Sequence, residues 1–298
     1  MTALLTQQFA TQKAQFLAAH TVLGSDFAGY GVTNGAGQAL ASVNHAPTPA
    51  NLGINANLHC FTVQPDHPHV PATCYFDVNA GGIAQYKIKF EKNGSRGWKP
   101  AFYLPFKENL IVGMELSDRA NFFFTANLSG CSVYVERDTI TNRLRVYHAN
   151  GMRLTQHGGD QGAQDYMDRL YMAARPANSQ LISRCDPALY NRQVLVYMNR
   201  KRAKEYQNVS TLGFTTVYGF RTGPDQWSFY FQTCAQFNYT QPGLTPSFGA
   251  AAWNAPLSTV GSLLTWNPWP GTVAPVNKNK PLACMEVSRF PETLHLDL

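Results

Sequence analysis

The chain has 298 residues, of which 44% are hydrophobic and only 14% charged, with a formal net charge of +6. That length allows one large domain or two small ones, and the thin charge leaves the surface to Asn, Gln, Thr and Ser. No basic block is dense enough to argue for nucleic acid, and no run approaches the roughly 18 apolar residues of a membrane span. The N-terminus lacks the charged start and apolar core of a Sec signal peptide, so a soluble protein is expected that leaves its cell, if at all, by another route.

Thr2 to His20 carries Leu5, Phe9, Phe16 and Leu17 near one helical face and is expected to be a helix packed on the domain. Gly24 to Ala56 is rich in Gly, Asn, Ala and Pro without periodicity and reads as a loop or leader. A boundary near residue 56 would separate a leader, 1–56, from a main domain, 57–298. Beyond it Leu58–Val63, Thr73–Val78 and Ala84–Phe90 alternate as strands do. In the last of these, Lys87 and Lys89 share a weakly basic face with Glu91, which reads as a solvated sheet face. Asn93–Pro100 is a turn, and Phe102–Phe106 leads into the central section.

That section runs from Asn121 to Asn150. Asn121–Thr125 is a β-prone strand, and Ser132–Val135 and Leu144–Tyr147 form a hairpin about the turn Asp138–Asn142. A register with Val133 facing Val146 and Val135 facing Leu144 puts the apolar residues on one face. The same register sets Ser132 beside Tyr147, Tyr134 beside Arg145 and, one step further, Cys131 across from His148. Directly opposed Cβ atoms lie roughly 4.5 to 5.5 Å apart, close enough for a thiol and an imidazole to share a proton. Such a neighbour favours the thiolate and makes cysteine a nucleophile, although a buried cysteine is more commonly a small hydrophobe. Gly130 lets the backbone turn sharply and aim N–H groups, its own and that of Ser132, at a developing oxyanion. Thr125 is placed to fix the imidazole tautomer through its hydroxyl or its carbonyl.

The six cysteines show no CxxC pair and no metal-ligand spacing, and all six are expected to be reduced. His67 and His69 flank Pro68 with Asp66 alone beside them, a poor metal site. No metal or cofactor is expected. Past His148, Gln161–Arg175 reads as a helix capped by Asp160, with Tyr166, Met167 and Leu170 covering the sheet. Gln193–Met198 reads as a short strand and Asn199–Lys204 as a basic cluster. Thr215–Arg221 and Gln226–Thr233 form a second hairpin about TGPD, with Trp227, Phe229 and Phe231 on one face. The tail is Pro and Gly-rich around Trp253, Trp266 and Trp269. The whole reads as an α+β fold, a central β-sandwich of mixed and antiparallel strands with flanking helices.

The run FYLPFKENLIVGMELSDRANFFFTANLSGC, with VYHAN after it, is similar to the catalytic region of the Burkholderia lethal factor-like glutamine deamidase toxins. LSGC, Leu128 and Ser129 followed by Gly130 and Cys131, resembles the nucleophile motif shared with the cytotoxic necrotizing factors. The chemoreceptor deamidases have a more distant version of the Thr, Cys and His layout. TTVYGFRTGPDQWSFYFQTCAQF, residues 215–237, resembles a late hairpin of the same toxins. The resemblance implies a deamidase-toxin fold with Cys131 as nucleophile, His148 as base and Thr125 as orienting residue. It also implies a toxin acting in a host cytoplasm as a monomer on a host protein, either a translation-initiation RNA helicase or a Rho-family GTPase. Spacing alone does not separate a deamidase from a cysteine protease or transglutaminase on the same pair. A β-rich binding protein with Cys131 in its core is the non-enzymatic alternative.

Overall fold

The structure is a computed structural model; it describes residues 2–24, 60–63, 73–82, 85–91, 94–104, 111–150, 175–200, 207–241, 276–279, 283–284 and 288–290, with seven helical positions between 164 and 172. Several sequence expectations lie outside the described residues: the loop and boundary before 57, His67 and His69, Asp160, Tyr166 and Leu170, and the tail tryptophans. The side chains of the basic cluster at 199–204 lie outside them too.

The chain divides into two compact units, one comprising Met1–Asn191, Phe214–Thr233 and Glu286–Leu298, the other Arg192–Gly213 and Cys234–Met285. The first unit is mostly β-sheet with a few helices, an α+β arrangement. Its first sheet contains β1 (Thr21–Gly24), β3 (Thr73–Gly82), β4 (Gln85–Glu91), β5 (Lys99–Leu104), β7 (Phe122–Thr125), and parts of β11 (Gln207–Gly223) and β12 (Gln226–Gln241). Their order is β1-β4-β3-β5-β7-β11-β12. The second sheet is ordered β10-β8-β9-β6-β2, from β2 (Cys60–Val63), β6 (Ile111–Glu115), β8 (Ser132–Asp138), β9 (Leu144–Ala149) and β10 (Ser179–Cys185). One apolar cluster draws Phe102, Leu104, Phe123 and Val217 from the first sheet and Val112, Met114, Val133, Val135 and Val146 from the second, so the sheets share a core.

A second, aromatic cluster lies under the N-terminal helices α1 (Thr2–Thr11) and α2 (Lys13–Ala19). Phe9 is fully buried there, with its ring 5.6 Å from Phe16, 5.9 Å from Phe76 and 5.7 Å from Phe220. Thr6 Oγ1 accepts the Val78 amide proton at 2.9 Å, tying α1 to β3. A large aromatic of this kind contributes about 3–5 kcal/mol when deleted, so α1 is an integral part of the first unit.

The hairpin β8–β9 forms as alternation requires, but in a register shifted by two residues: Val133 pairs with His148, Tyr134 with Tyr147 and Val135 with Val146. A slip of two residues keeps every side chain on its face, so a period-two pattern does not distinguish the two registers. The turn is fixed locally. Asp138 Oδ1 accepts the amides of Ile140 and Thr141 at 2.8 and 2.9 Å, and Asn142 takes φ of 62°. These bonds, that of Thr141 first, hold the Asp138 carboxyl below its ordinary range.

The other face of β8 is hydrogen-bonded throughout. Ser132 Oγ donates to Gln164 at 2.7 Å, Tyr134 Oη to Asp168 at 2.5 Å, and Glu136 accepts from Tyr147 and Tyr171 at 2.9 and 2.8 Å. Asp138 accepts from Asn178 at 2.9 Å. The helical residues of the 164–172 stretch therefore cover the sheet with polar and aromatic groups, and the Tyr134 and Tyr171 rings stack at 4.0 Å.

Two expectations are corrected. Gln193–Met198 is not a strand; it belongs to the helix α3 (Pro187–Arg200). Asp186 Oδ1 accepts the Leu189 amide at 2.8 Å, an N-cap with Pro187 at the first helical position, and this start outweighs the β-prone Val194 and Val196. Nor are all six cysteines reduced. Cys74, Cys131 and Cys185 are free, but Cys234 is disulfide-bonded. In the second unit the antiparallel pairing of β12 with β13 (Ala283–Cys284) sets Cys284 directly across from Cys234.

Candidate active site

Thr125 ends β7 in the first sheet, and His148 lies near the end of β9 in the second. Their side chains meet in the shared interior. Thr125 Oγ1 is 2.7 Å from His148 Nδ1 and donates its own proton to the Leu104 carbonyl at 2.8 Å. A hydroxyl has one hydrogen to give. With that hydrogen committed to Leu104, Oγ1 accepts at the imidazole, so Nδ1 carries the proton and Nε2 carries the lone pair. The tautomer is thus set by a bond that begins in β5, and it is the one that leaves Nε2 as a base.

Cys131 precedes β8 by one residue and shares the interior face with Val133. Because Val133 pairs with His148, the thiol is a diagonal neighbour of the imidazole on the same face, a relation in which the side chains start roughly 7–8 Å apart. The residue directly across from Cys131 is Asn150, whose Nδ2 donates to Sγ at 3.1 Å. Burial pushes the Cys131 thiol up, while the Asn150 amide and the Ser129 backbone oppose it. Burial also lowers His148 to about 3. At neutral pH the resting pair is a neutral thiol beside a neutral imidazole, rather than a thiolate with an imidazolium. A neutral pair of this kind would act as a nucleophile only if the base took the proton as the sulfur attacked, and the Asn150 amide and the Ser129 backbone favour negative charge on that sulfur.

The LSGC segment builds the approach. Leu128 is fully buried, and its N–H and C=O exchange 2.8 Å bonds with Thr215, anchoring the turn to β11. Ser129 and Gly130 are exposed, so the buried thiol lies one residue from solvent. Gly130 has φ of 94°, a left-handed conformation that disfavours a side chain, although a Cβ there would meet nothing within 4 Å. Its N–H does not stand open to an incoming oxygen. It donates to Tyr190 Oη at 2.8 Å, and the same hydroxyl donates to the Cys131 carbonyl at 3.2 Å. Ser132 contributes only backbone here, because its hydroxyl points to the opposite face, toward Gln164.

Asn150 and Tyr190 are the residues sequence reasoning missed. The first follows from the register, since shifting it by two residues replaces His148 with Asn150 opposite Cys131. The second comes from α3, far along the chain, and has no local signal. Among the described residues no group of three or more His, Cys, Asp or Glu is arranged to hold a metal ion, and no helix is long and apolar enough to cross a membrane. No protein-family model matches this chain, and no curated protein matches it.

Proposed function

We propose that the chain is a cysteine-dependent protein-glutamine deamidase of the toxin type, acting on a host protein through Cys131, His148 and Thr125. The observation that carries this reading is the Thr125 hydroxyl, which holds His148 at 2.7 Å as an Nδ1-protonated ring on the same face as the Cys131 thiol. In the proposed reaction Sγ attacks the glutamine amide carbon as its proton passes to His148 Nε2. The tetrahedral oxyanion then collapses, the C–N bond breaks, and ammonia leaves with the proton from His148. Water attacks the thioester with His148 again as base, releasing glutamate and restoring the thiol. A neutral amide on the target thereby becomes an acceptor-only carboxylate, enough to stop a switch protein or a motor from cycling.

The oxyanion needs donors when the tetrahedral centre forms. The Gly130 N–H serves once the Tyr190 hydroxyl yields to the substrate oxygen, and the hydroxyl itself is a second donor at the same place. On the LSGC resemblance we further propose a deamidase-toxin fold and a monomer working in a host cytoplasm. The translation-initiation RNA helicase is preferred as target over Rho-family GTPases. The test is mass spectrometry of host-cell proteins after exposure to wild type and to Cys131→Ser. A glutamine converted to glutamate only in the wild-type sample supports the proposal, and identical glutamines in both samples end it.

A further inference from the structure

A separate cavity of about 460 Å³ lies in the first unit, where four sequence-distant segments converge. Its lining includes Lys13 from α2, Lys99 from the start of β5 and Arg221 from the end of β11, together with Gln7, Asn121 and Thr222. None of the lining residues is a carboxylate. The nearest acids along the chain, Asp118 and Asp225, line no part of the cavity, and both act on Arg143.

Two of the cations are held by groups that do not cancel their charge. Arg221 donates through Nε to the Gly223 carbonyl and through Nη1 to the Asp118 carbonyl, both at 3.3 Å, and to Asn121 Oδ1 at 3.5 Å. Lys13 Nζ sits 5.3 Å from the centroid of the Phe220 ring. Neutral carbonyls and a ring face orient a charge without neutralising it. Holding three cations around one concavity is unfavourable unless something negative enters, and the amides and hydroxyl beside them supply donors for its remaining oxygens. The volume falls in the range of small-molecule sites, roughly 300–1,000 Å³.

We propose that this cavity binds a small phosphomonoester, its phosphate between Lys13, Lys99 and the Arg221 fork. The site is distinct from the thiol–imidazole pair. Lys99 and Phe122 begin β5 and β7, whereas Leu104 and Thr125 end them, so the cavity and the candidate active site lie at opposite ends of the same two strands. The proposal therefore stands whether or not the protein is a deamidase.

The test is calorimetric titration of the full chain at low salt with glucose 6-phosphate, inorganic phosphate, citrate and a glutamate-rich peptide. Saturable binding of glucose 6-phosphate with a Kd of about 1 mM or tighter is expected. Arg221→Gln, and Lys13→Gln with Lys99→Gln, should each weaken it by about tenfold or more, with Arg221→Lys intermediate. Melting temperature and circular dichroism check that each variant is folded. No binding at millimolar ligand overturns the proposal, as does binding that the folded variants leave unchanged. Tighter capture of citrate or of the acidic peptide than of either phosphate also overturns it, replacing the phosphomonoester with a carboxylate ligand or a protein-docking role.

Discussion

Cys131 and Cys185 belong to one apolar cluster, both are buried, and burial raises both thiols. Cys185 pairs across β10 with Val133, the residue that also pairs with His148 across β9. By depth and by neighbourhood the two cysteines are alike. The difference is in their polar partners. Among the described free cysteines, only Cys131 has a side-chain donor on its sulfur, and only it adjoins an exposed left-handed turn. Burial alone makes an inert thiol. What distinguishes Cys131 is the Asn150 amide on its sulfur and, diagonally across the hairpin, an imidazole whose tautomer Thr125 sets.

The sharpest way to break this contrast is to exchange the cysteines one at a time. Cys131→Ser should lower deamidation by about 10⁴-fold or more, as removal of a covalent nucleophile does. Cys185→Ala should leave turnover within about tenfold while costing roughly 1–2 kcal/mol of stability from the lost core volume. Equal loss in the two variants, measured as turnover alongside denaturant unfolding, would make Cys131 another core residue.

Thr125→Val keeps the shape of the side chain and removes the hydroxyl that links Leu104 to His148. Turnover should fall about 10²- to 10⁴-fold, the usual worth of a positioned acid–base group. An unaltered rate would mean the tautomer is set by something other than Thr125. Asn150→Ala removes the donor on Sγ, so the rate of iodoacetamide labelling at Cys131 should fall by about tenfold, the worth of one hydrogen bond to a charged group. Labelling that stays constant would show that the 3.1 Å contact does not favour the thiolate.

Ser132→Ala is the mildest. The hydroxyl faces Gln164 on the polar side of β8, so unfolding should change by about 1 kcal/mol and turnover hardly at all. A large loss of turnover would place Ser132 on the reacting face, contrary to its bond with Gln164.

The two faces of β8 also mark what the sequence could and could not reveal. Alternation in SVYVERD and LRVYHA puts Val133, Val135, Val146 and His148 on one face, which is where they lie. The pairing partner is beyond the reach of that pattern, because slipping by two residues costs no burial. Asn150 was hidden for this reason, and so was the true diagonal relation of Cys131 to His148. Thr125 was legible as a neighbour of the imidazole, but its commitment to Leu104 depends on β5 and β7 lying parallel and adjacent, a non-local fact. The helix at Pro187 was announced by Asp186 and Pro187 and obscured by the β-branched residues after them. The ladder from Ser132 to Asn178 pairs polar residues across a sheet and its covering segment, where hydrophobic periodicity carries no signal.

His148 is held neutral and protonated on Nδ1, and the proposed reaction has its Nε2 lone pair serve the Cys131 thiol. An ordinary histidine, with a pKa near 6.5, gains its second proton as pH falls through that value, whereas His148 is lowered to about 3 by burial and should not. Nitrogen-15 NMR of histidine-labelled protein, from pH 7.5 to 4.5, reads this directly. One ring is expected whose Nδ1 shift is that of an N–H and whose Nε2 shift is that of an unprotonated nitrogen, both unchanged across the range and both perturbed by Thr125→Val. A His148 ring that titrates near pH 6.5, or that carries its proton on Nε2, would contradict this.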